Sequence, residues 1–286
     1  MQGHFTLLDW LVLANWQLLE PALAKIAAGE LSTSLILMLD DEGRQPLPET
    51  ASVPVYVISY DIRPIAFLCG VVAAEHSNTG MFTIMASAAD PHAQEFLDAA
   101  WTGAKYHTNG AIVADTILPV DEASGLVTPE TFRDLHNALN QQMGQYFASN
   151  HYILALGRAT PSIMHALTKQ PFSGYVVGAY ADYRGVREAK VLGCALKHPD
   201  AALEYVFSQL TSDTELAQLA NAEGVIAVGL PEQAVGFTDF ELYSRRNPDG
   251  ADLAAAVQDC WAEILADELD VAGLISEFRS KEAPSE

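Results

Sequence analysis

Apolar residues recur along the chain in two rhythms, a three-to-four-residue spacing and short unbroken runs, and their alternation sets the expected elements. Trp10, Leu13, Trp16 and Leu19 follow helical spacing, so residues 5–28 read as one or two helices with a break near Pro21 and a stop at Gly29. Ser34 to Leu39 reads as a strand closed by Asp40-Asp41-Glu42-Gly43, and the three prolines between Gln45 and Pro54 give an exposed connector. Val53 to Tyr60, Ala66 to Ala73 and Met81 to Ala86 are apolar runs separated by Asp61-Ile62-Arg63-Pro64 and His76-Ser77-Asn78-Thr79-Gly80, a pattern that predicts three strands with turns between them.

Asp90 as N-cap and Pro91 at the first position predict a helix over 91–104, followed by a strand from Ala111 to Leu118. Thr128-Pro129-Glu130 opens an amphipathic helix whose stripe of Phe132, Leu135, Leu139, Met143 and Tyr146 ends near Ala148. Beyond it the pattern predicts strands at Tyr152–Leu156, Gly174–Tyr180, Ala189–Leu196 and Val225–Val228, and helices at Pro161–Lys169 and Asp200–Leu210. Ser212-Asp213-Thr214-Glu215 matches a capping box ahead of a helix that stops at Gly224, and the tail carries two amphipathic helices, Asp252–Glu268 and 271–281, the second capped by Asp270. Strands and helices are interspersed throughout, which gives an α/β fold with a mixed sheet and flanking helices, and room for two lobes around a cleft. The chain reads as a single α/β globular unit over 1–286, with a two-lobe division placed near 120–150.

Composition narrows the functions. Half of the 286 residues are hydrophobic and 18% are charged, so the chain can bury a full core without disulfides or metal. Fifteen basic residues face 37 acidic ones, and the net charge of -22 repels phosphate backbones and anionic lipid, which argues against a nucleic-acid partner. From Pro199 onward there are 18 acids and 4 bases, so that end could meet a basic protein. The run from Leu7 to Leu19 has no Lys or Arg before it, is interrupted by Asp9 and is short of a bilayer span, so no membrane insertion is expected. The chain as numbered reads as cytoplasmic, and as periplasmic or extracellular only if a signal was removed ahead of it.

Cys69, Cys194 and Cys260 show no C-x-x-C spacing, and the eight histidines show no i, i+2 or i, i+4 pair, so no metal site is expected. The phosphate-binding, dinucleotide, nucleophile-elbow and zincin motifs are all missing, so no cofactor and no catalytic residue is assigned. The candidate binding loop is Gly157-Arg158-Ala159-Thr160-Pro161-Ser162, which joins a predicted strand to a predicted helix. Free amides and the helix dipole favour an anion there, Thr160 and Ser162 add hydroxyls, and Arg158 is one of nine arginines in the chain. Tyr60-Asp61-Ile62-Arg63-Pro64 and Tyr180-Ala181-Asp182-Tyr183-Arg184-Gly185 place Tyr, Asp and Arg at strand ends, where α/β folds open pockets. Asp61, Arg63, Tyr183 and Arg184 therefore join Gly157, Arg158, Thr160 and Ser162 as ligand-binding candidates.

The stretch from Lys197-His198-Pro199-Asp200 through Gln209-Leu210-Thr211-Ser212-Asp213 to Gly224-Val225-Ile226-Ala227-Val228 resembles bacterial solute-binding proteins of transport systems, and Asp252 to Lys281 is similar to that family's final helices. The resemblance implies a ligand-facing, glycine-led loop at Leu156-Gly157-Arg158-Ala159-Thr160. The reading is a non-catalytic protein that holds a small solute, an anionic one if the loop's donors set the choice, in an inter-lobe cleft. An acidic interaction module that meets a basic protein through its C-terminal helices is the alternative, and an enzyme without a linear motif the third. The oligomeric state is not legible.

Overall fold

The computed structural model describes residues 10–14, 16–40, 51–108, 112–121, 126–131, 133–134, 151–169, 174–186, 190–210, 216–245 and 250–282. Its elements are β1 (Trp10–Leu13), α1 (Leu19–Ala27), β2 (Leu35–Met38), β3 (Val55–Tyr60), α2 (Arg63–His76), β4 (Met81–Ser87), α3 (Ala93–His107), β5 (Ile112–Leu118), β6 (His151–Ala155) and α4 (Thr160–Lys169). There follow β7 (Tyr175–Tyr180), β8 (Val191–Lys197), α5 (Pro199–Gln209), α6 (Leu216–Leu219), β9 (Val225–Val228), β10 (Val235–Phe237), α7 (Glu241–Ser244), α8 (Gly250–Leu265) and α9 (Val271–Glu282). The α/β class read from the sequence is the class observed.

Two elements change type from the sequence reading, and it anticipates neither β10 nor α7. Trp10–Leu13 is a strand, because Trp-Leu-Val-Leu pairs in parallel with Leu35–Met38 and that ladder outweighs a weak helical spacing. Pro21 lies in the first turn of α1, where its missing N–H costs nothing, so it marks no break; Gly29 does end the segment, with φ of 72°. Arg63–His76 is a helix in place of the predicted strand at 66–73. Every residue from Ile65 to Ala74 is buried, and a helix covered on all sides has no polar face to reveal its period. The helix predicted to end near Ala148 is described only at its start, where the Thr128 hydroxyl accepts the Thr131 N–H at 3.2 Å; its remainder and the 212–215 capping box lie outside the described residues.

The chain forms two compact units, Met1–Asp61 with His198–Ala234, and Ile62–Lys197 with Val235–Glu286, so the backbone passes between them three times. The first unit holds a four-stranded parallel sheet in the order β1-β2-β3-β9. Leu13, Trp16, Leu19, Ala22, Ile36, Met38, Val55 and Val57 form its core, which joins α1 to the sheet.

The second unit holds a six-stranded sheet in the order β10-β8-β7-β6-β4-β5, parallel except for β10. On one face α2 and α3 cross so closely that a Cβ at Gly70 would lie 2.0 Å from the Ala100 carbonyl oxygen, and one at Gly103 2.0 Å from that of Phe67. Helix α9 is fastened to this layer by Arg279, whose guanidinium meets Asp98 at 2.6 Å and Asp115 at 3.1 Å and lies over the Trp101 ring. A second cluster packs Ile163 and Met164 of α4 against Tyr152 and Leu154 of β6.

Candidate functional site

Five strands of the second unit run parallel, and their chain order β4, β5, β6, β7, β8 does not match their order in space. β5 lies on one side of β4, and β6 lies on the other with β7 and β8 beyond it. Right-handed crossovers leaving β4 and β6 in opposite directions carry α3 and α4 to opposite faces, so the segments leaving these two strands part at their C-terminal ends. Such a switch point is where open parallel sheets hold ligands. The two segments are 88–92, after β4, and 156–160, after β6.

Asp90 is buried in the first of them. Its Oδ1 accepts the His92 N–H at 2.9 Å, and its Oδ2 accepts the Tyr180 hydroxyl at 2.5 Å. Tyr180 ends β7, so its side chain crosses the end of β6 to reach Asp90. The Tyr180 backbone has φ of 80°, a left-handed conformation that costs a bulky residue about 1–3 kcal/mol and persists where surrounding contacts enforce it. Its ring meets the edge of Phe96, and the Lys197 ammonium, at the end of β8, sits 4.3 Å from its centroid. Lys197 is itself only 9% exposed. A carboxylate, a phenol and an ammonium from three strand ends thus form one layer at this edge.

The glycine-led turn occupies the second segment. Gly157 adopts φ of 50° and opens a single 3-10 turn, Gly157–Ala159, which runs into α4. Its carbonyl oxygen accepts the Thr160 N–H, and the Tyr183 hydroxyl donates to it at 3.3 Å. Tyr183 is held in turn by its own N–H, which points to the Cys194 sulfur at 3.3 Å. Thr160 is fully buried and is the first residue of α4; its hydroxyl has no hydrogen-bond partner among the described residues. Arg158 and Ser162 are exposed.

The remaining candidates are placed as follows. Asp61 belongs to the first unit, where its N–H donates to the Val228 carbonyl oxygen at 2.8 Å. Arg63 belongs to the second unit, exposed at the first position of α2. Arg184 is clamped. Its Nε and Nη2 grip the two Asp182 oxygens at 3.0 and 2.7 Å, and its Nη1 donates to the Asp239 carboxylate at 2.7 Å and to the Asp239 carbonyl oxygen at 3.0 Å. The fork hydrogen bonds hold Asp182 below the usual carboxylate range and raise Arg184 further. Two carboxylates balance this guanidinium, which ties the exit of β7 to the segment before α7.

The structure therefore joins Gly157, Thr160 and Tyr183, and separates Asp61 from the other seven by unit. Neither Asp90 nor Lys197 is among the sequence candidates, and Tyr180 enters them only as the first residue of the Tyr180–Gly185 motif. Asp90 carried a signal as a helix cap, and its Oδ1 does bond a helix-entry amide, although α3 begins two residues later than expected. Among the described residues no group of three or more His, Cys, Asp or Glu side chains is arranged to hold a metal ion, and no helix is long and apolar enough to cross a membrane.

No protein-family model matches the sequence, and no curated protein matches it. Solved structures do resemble it. A transcriptional activator of the comK gene from Bacillus halodurans superposes with a TM-score of 0.58 at 14% identity, over 87% of this chain and 83% of that one. Solute-binding proteins of ABC transporter systems superpose with TM-scores of 0.53 for one from Conexibacter woesei, at 16% identity over 90% of this chain and 84% of that one, and 0.52 for one from Aeropyrum pernix, at 15% identity over 96% and 76%. At these identities the likeness is one of fold.

Proposed function

We propose that this protein holds a small solute, without transforming it, at the C-terminal edge of the second unit's sheet, between the Asp90 segment and the Gly157–Ala159 turn. What carries the reading is a coincidence: the sheet's strand order reverses between β4 and β6, and across that point Tyr180, at positive φ, makes a 2.5 Å hydrogen bond to buried Asp90. Strain of this kind persists where binding needs a side chain fixed before the ligand arrives. Two of the structural relatives are solute-binding proteins by description, which supports a binding role on this fold.

The solute carries an anionic group. The N-terminus of α4 presents a positive dipole end, the Thr160 hydroxyl is buried with no partner among the described residues, and Arg158 and Ser162 stand exposed beside it. Arg184 contributes order more than charge, because Asp182 and Asp239 already balance it.

Thermal unfolding against a panel of small carboxylates, phosphate esters, sugars and amino acids tests this. A ligand at a hundredfold excess over its Kd adds about 2.7 kcal/mol of stability. Arg158→Ala should remove the gain given by an anionic solute. A panel in which nothing stabilises the protein, or a gain that survives in both Arg158→Ala and Asp90→Asn, refutes the reading.

A further inference from the structure

At the opposite, N-terminal edge of the same sheet lies a second polar cluster that solute binding does not use. His76 ends α2, His151 begins β6, Tyr175 begins β7, Lys190 precedes β8, and Tyr243 comes from α7. His76 Nδ1 and His151 Nε2 share a hydrogen bond of 2.9 Å, and the other nitrogen of His76 shares one with the Tyr243 hydroxyl. The His151 ring stacks on Tyr175 at 5.5 Å, and the Lys190 ammonium lies 4.4 Å from the Tyr175 centroid. Phe82, from β4, closes a further side with an edge contact. His151 is 5% exposed and Tyr243 2%.

The arrangement has room for a fixed number of protons. If His151 Nε2–H donates to His76, then His76 Nε2–H donates to Tyr243, and His151 Nδ1 is a bare lone pair. If the chain runs the other way, Tyr243 donates to His76, His76 donates to His151, and His151 Nδ1 carries a hydrogen. In both cases His151 Nδ1 is buried with no partner among the described residues. One further proton enters at one of two places. At His151 Nδ1 it makes a buried charged donor with nothing to receive it. At His76 Nε2 it makes a buried cation whose N–H donates to the Tyr243 oxygen once the phenol hydrogen has rotated away; in either place the charge is kept from water while Tyr243 stays packed.

We propose that the His76–His151 pair is an acid-sensitive latch on α7: while neutral it holds Tyr243 against the sheet, and taking up a proton releases α7 before the rest of the unit opens. Among the described residues, titratable and charged groups facing the pair include Tyr175 from β7, Lys190 from the turn before β8 and Tyr243 from α7. Burial resists a proton on His151 first, and His76 and Lys190 add to that resistance. Because α7 is a single turn joined to the sheet side by β10, its detachment can be local.

Hydrogen–deuterium exchange of the full chain at pH 7.5 and 5.0, corrected for intrinsic rates, reads the latch directly. Amides of α7 should lose at least tenfold protection at the lower pH while those of β4 keep theirs. His151→Phe fills the aromatic space and leaves His76 as the pair's remaining proton site, so its α7 amides should show a clearly smaller pH response than those of the wild type. Tyr243→Phe, which cuts the chain at its outer end, should exchange at pH 7.5 as the wild type does at pH 5.0. Equal loss over α7 and β4, no loss in the wild type, or a pH response of undiminished size in His151→Phe overturns the proposal. The wild-type comparison decides the matter even if a variant fails to fold.

Discussion

The Tyr180 hydroxyl donates to Asp90 Oδ2 at 2.5 Å, joining two residues 90 positions apart across the end of a strand that belongs to neither. A carboxylate buried to 5% exposure cannot be left half-satisfied without cost, so this bond and the one from His92 N–H help fix the segment after β4.

Tyr180→Phe keeps the ring against Phe96 and Lys197 and removes that donor. The hydrogen bond is to a buried carboxylate, so the variant should be less stable by about 1.5–3 kcal/mol in urea unfolding. Stability equal to the wild type would mean that Asp90 has another donor in reserve.

His151 sets a pH dependence. Burial, then His76, then Lys190 lower its folded pKa from 6.5 to about 3. Between those values the unfolded chain binds the proton and the folded one does not, so the contribution is complete above about 6.5 and is lost as pH falls toward 3. The slope reaches at most about 1.4 kcal/mol per pH unit. Chemical unfolding at steps from pH 7.5 to 4.5 should show this fall in the wild type and a shallower one in His151→Phe. Parallel curves would show that His151 titrates normally.

Gly103→Ala should destabilise the second unit although alanine is the better helix former by about 1 kcal/mol. The new Cβ would sit 2.0 Å from the Phe67 carbonyl oxygen, and backbone cannot step aside as a flexible side chain can. Prying α2 from α3 should cost about 1–3 kcal/mol and lower the thermal midpoint. An unchanged midpoint would show that the crossing tolerates a wider spacing.

Most strands were legible because short apolar runs were bounded by Asp, Gly or Pro: β3, β4, β6 and β9 lie within a few residues of where pattern put them. α2 was not, since Ala66-Phe67-Leu68-Cys69-Gly70-Val71-Val72-Ala73 is apolar on every face and only its burial among α3 and the sheet decides for helix. β1 failed for the opposite reason, a helical spacing overruled by a partner strand twenty-five residues on. At the site, Gly157 and Thr160 could be found as a strand-to-helix turn. The Asp90–Tyr180 contact could not, because it depends on the order in which parallel strands are laid down and on a positive φ that a tyrosine does not advertise.

The central claim is tested most directly by differential hydrogen exchange with and without the solute that most raises the melting temperature. Added protection should concentrate in 88–92 and 156–160, and Asp90→Asn should abolish it. Protection confined to β1, α1 or the N-terminal edge around His151, with both segments unchanged, would contradict a solute site at the switch between β4 and β6.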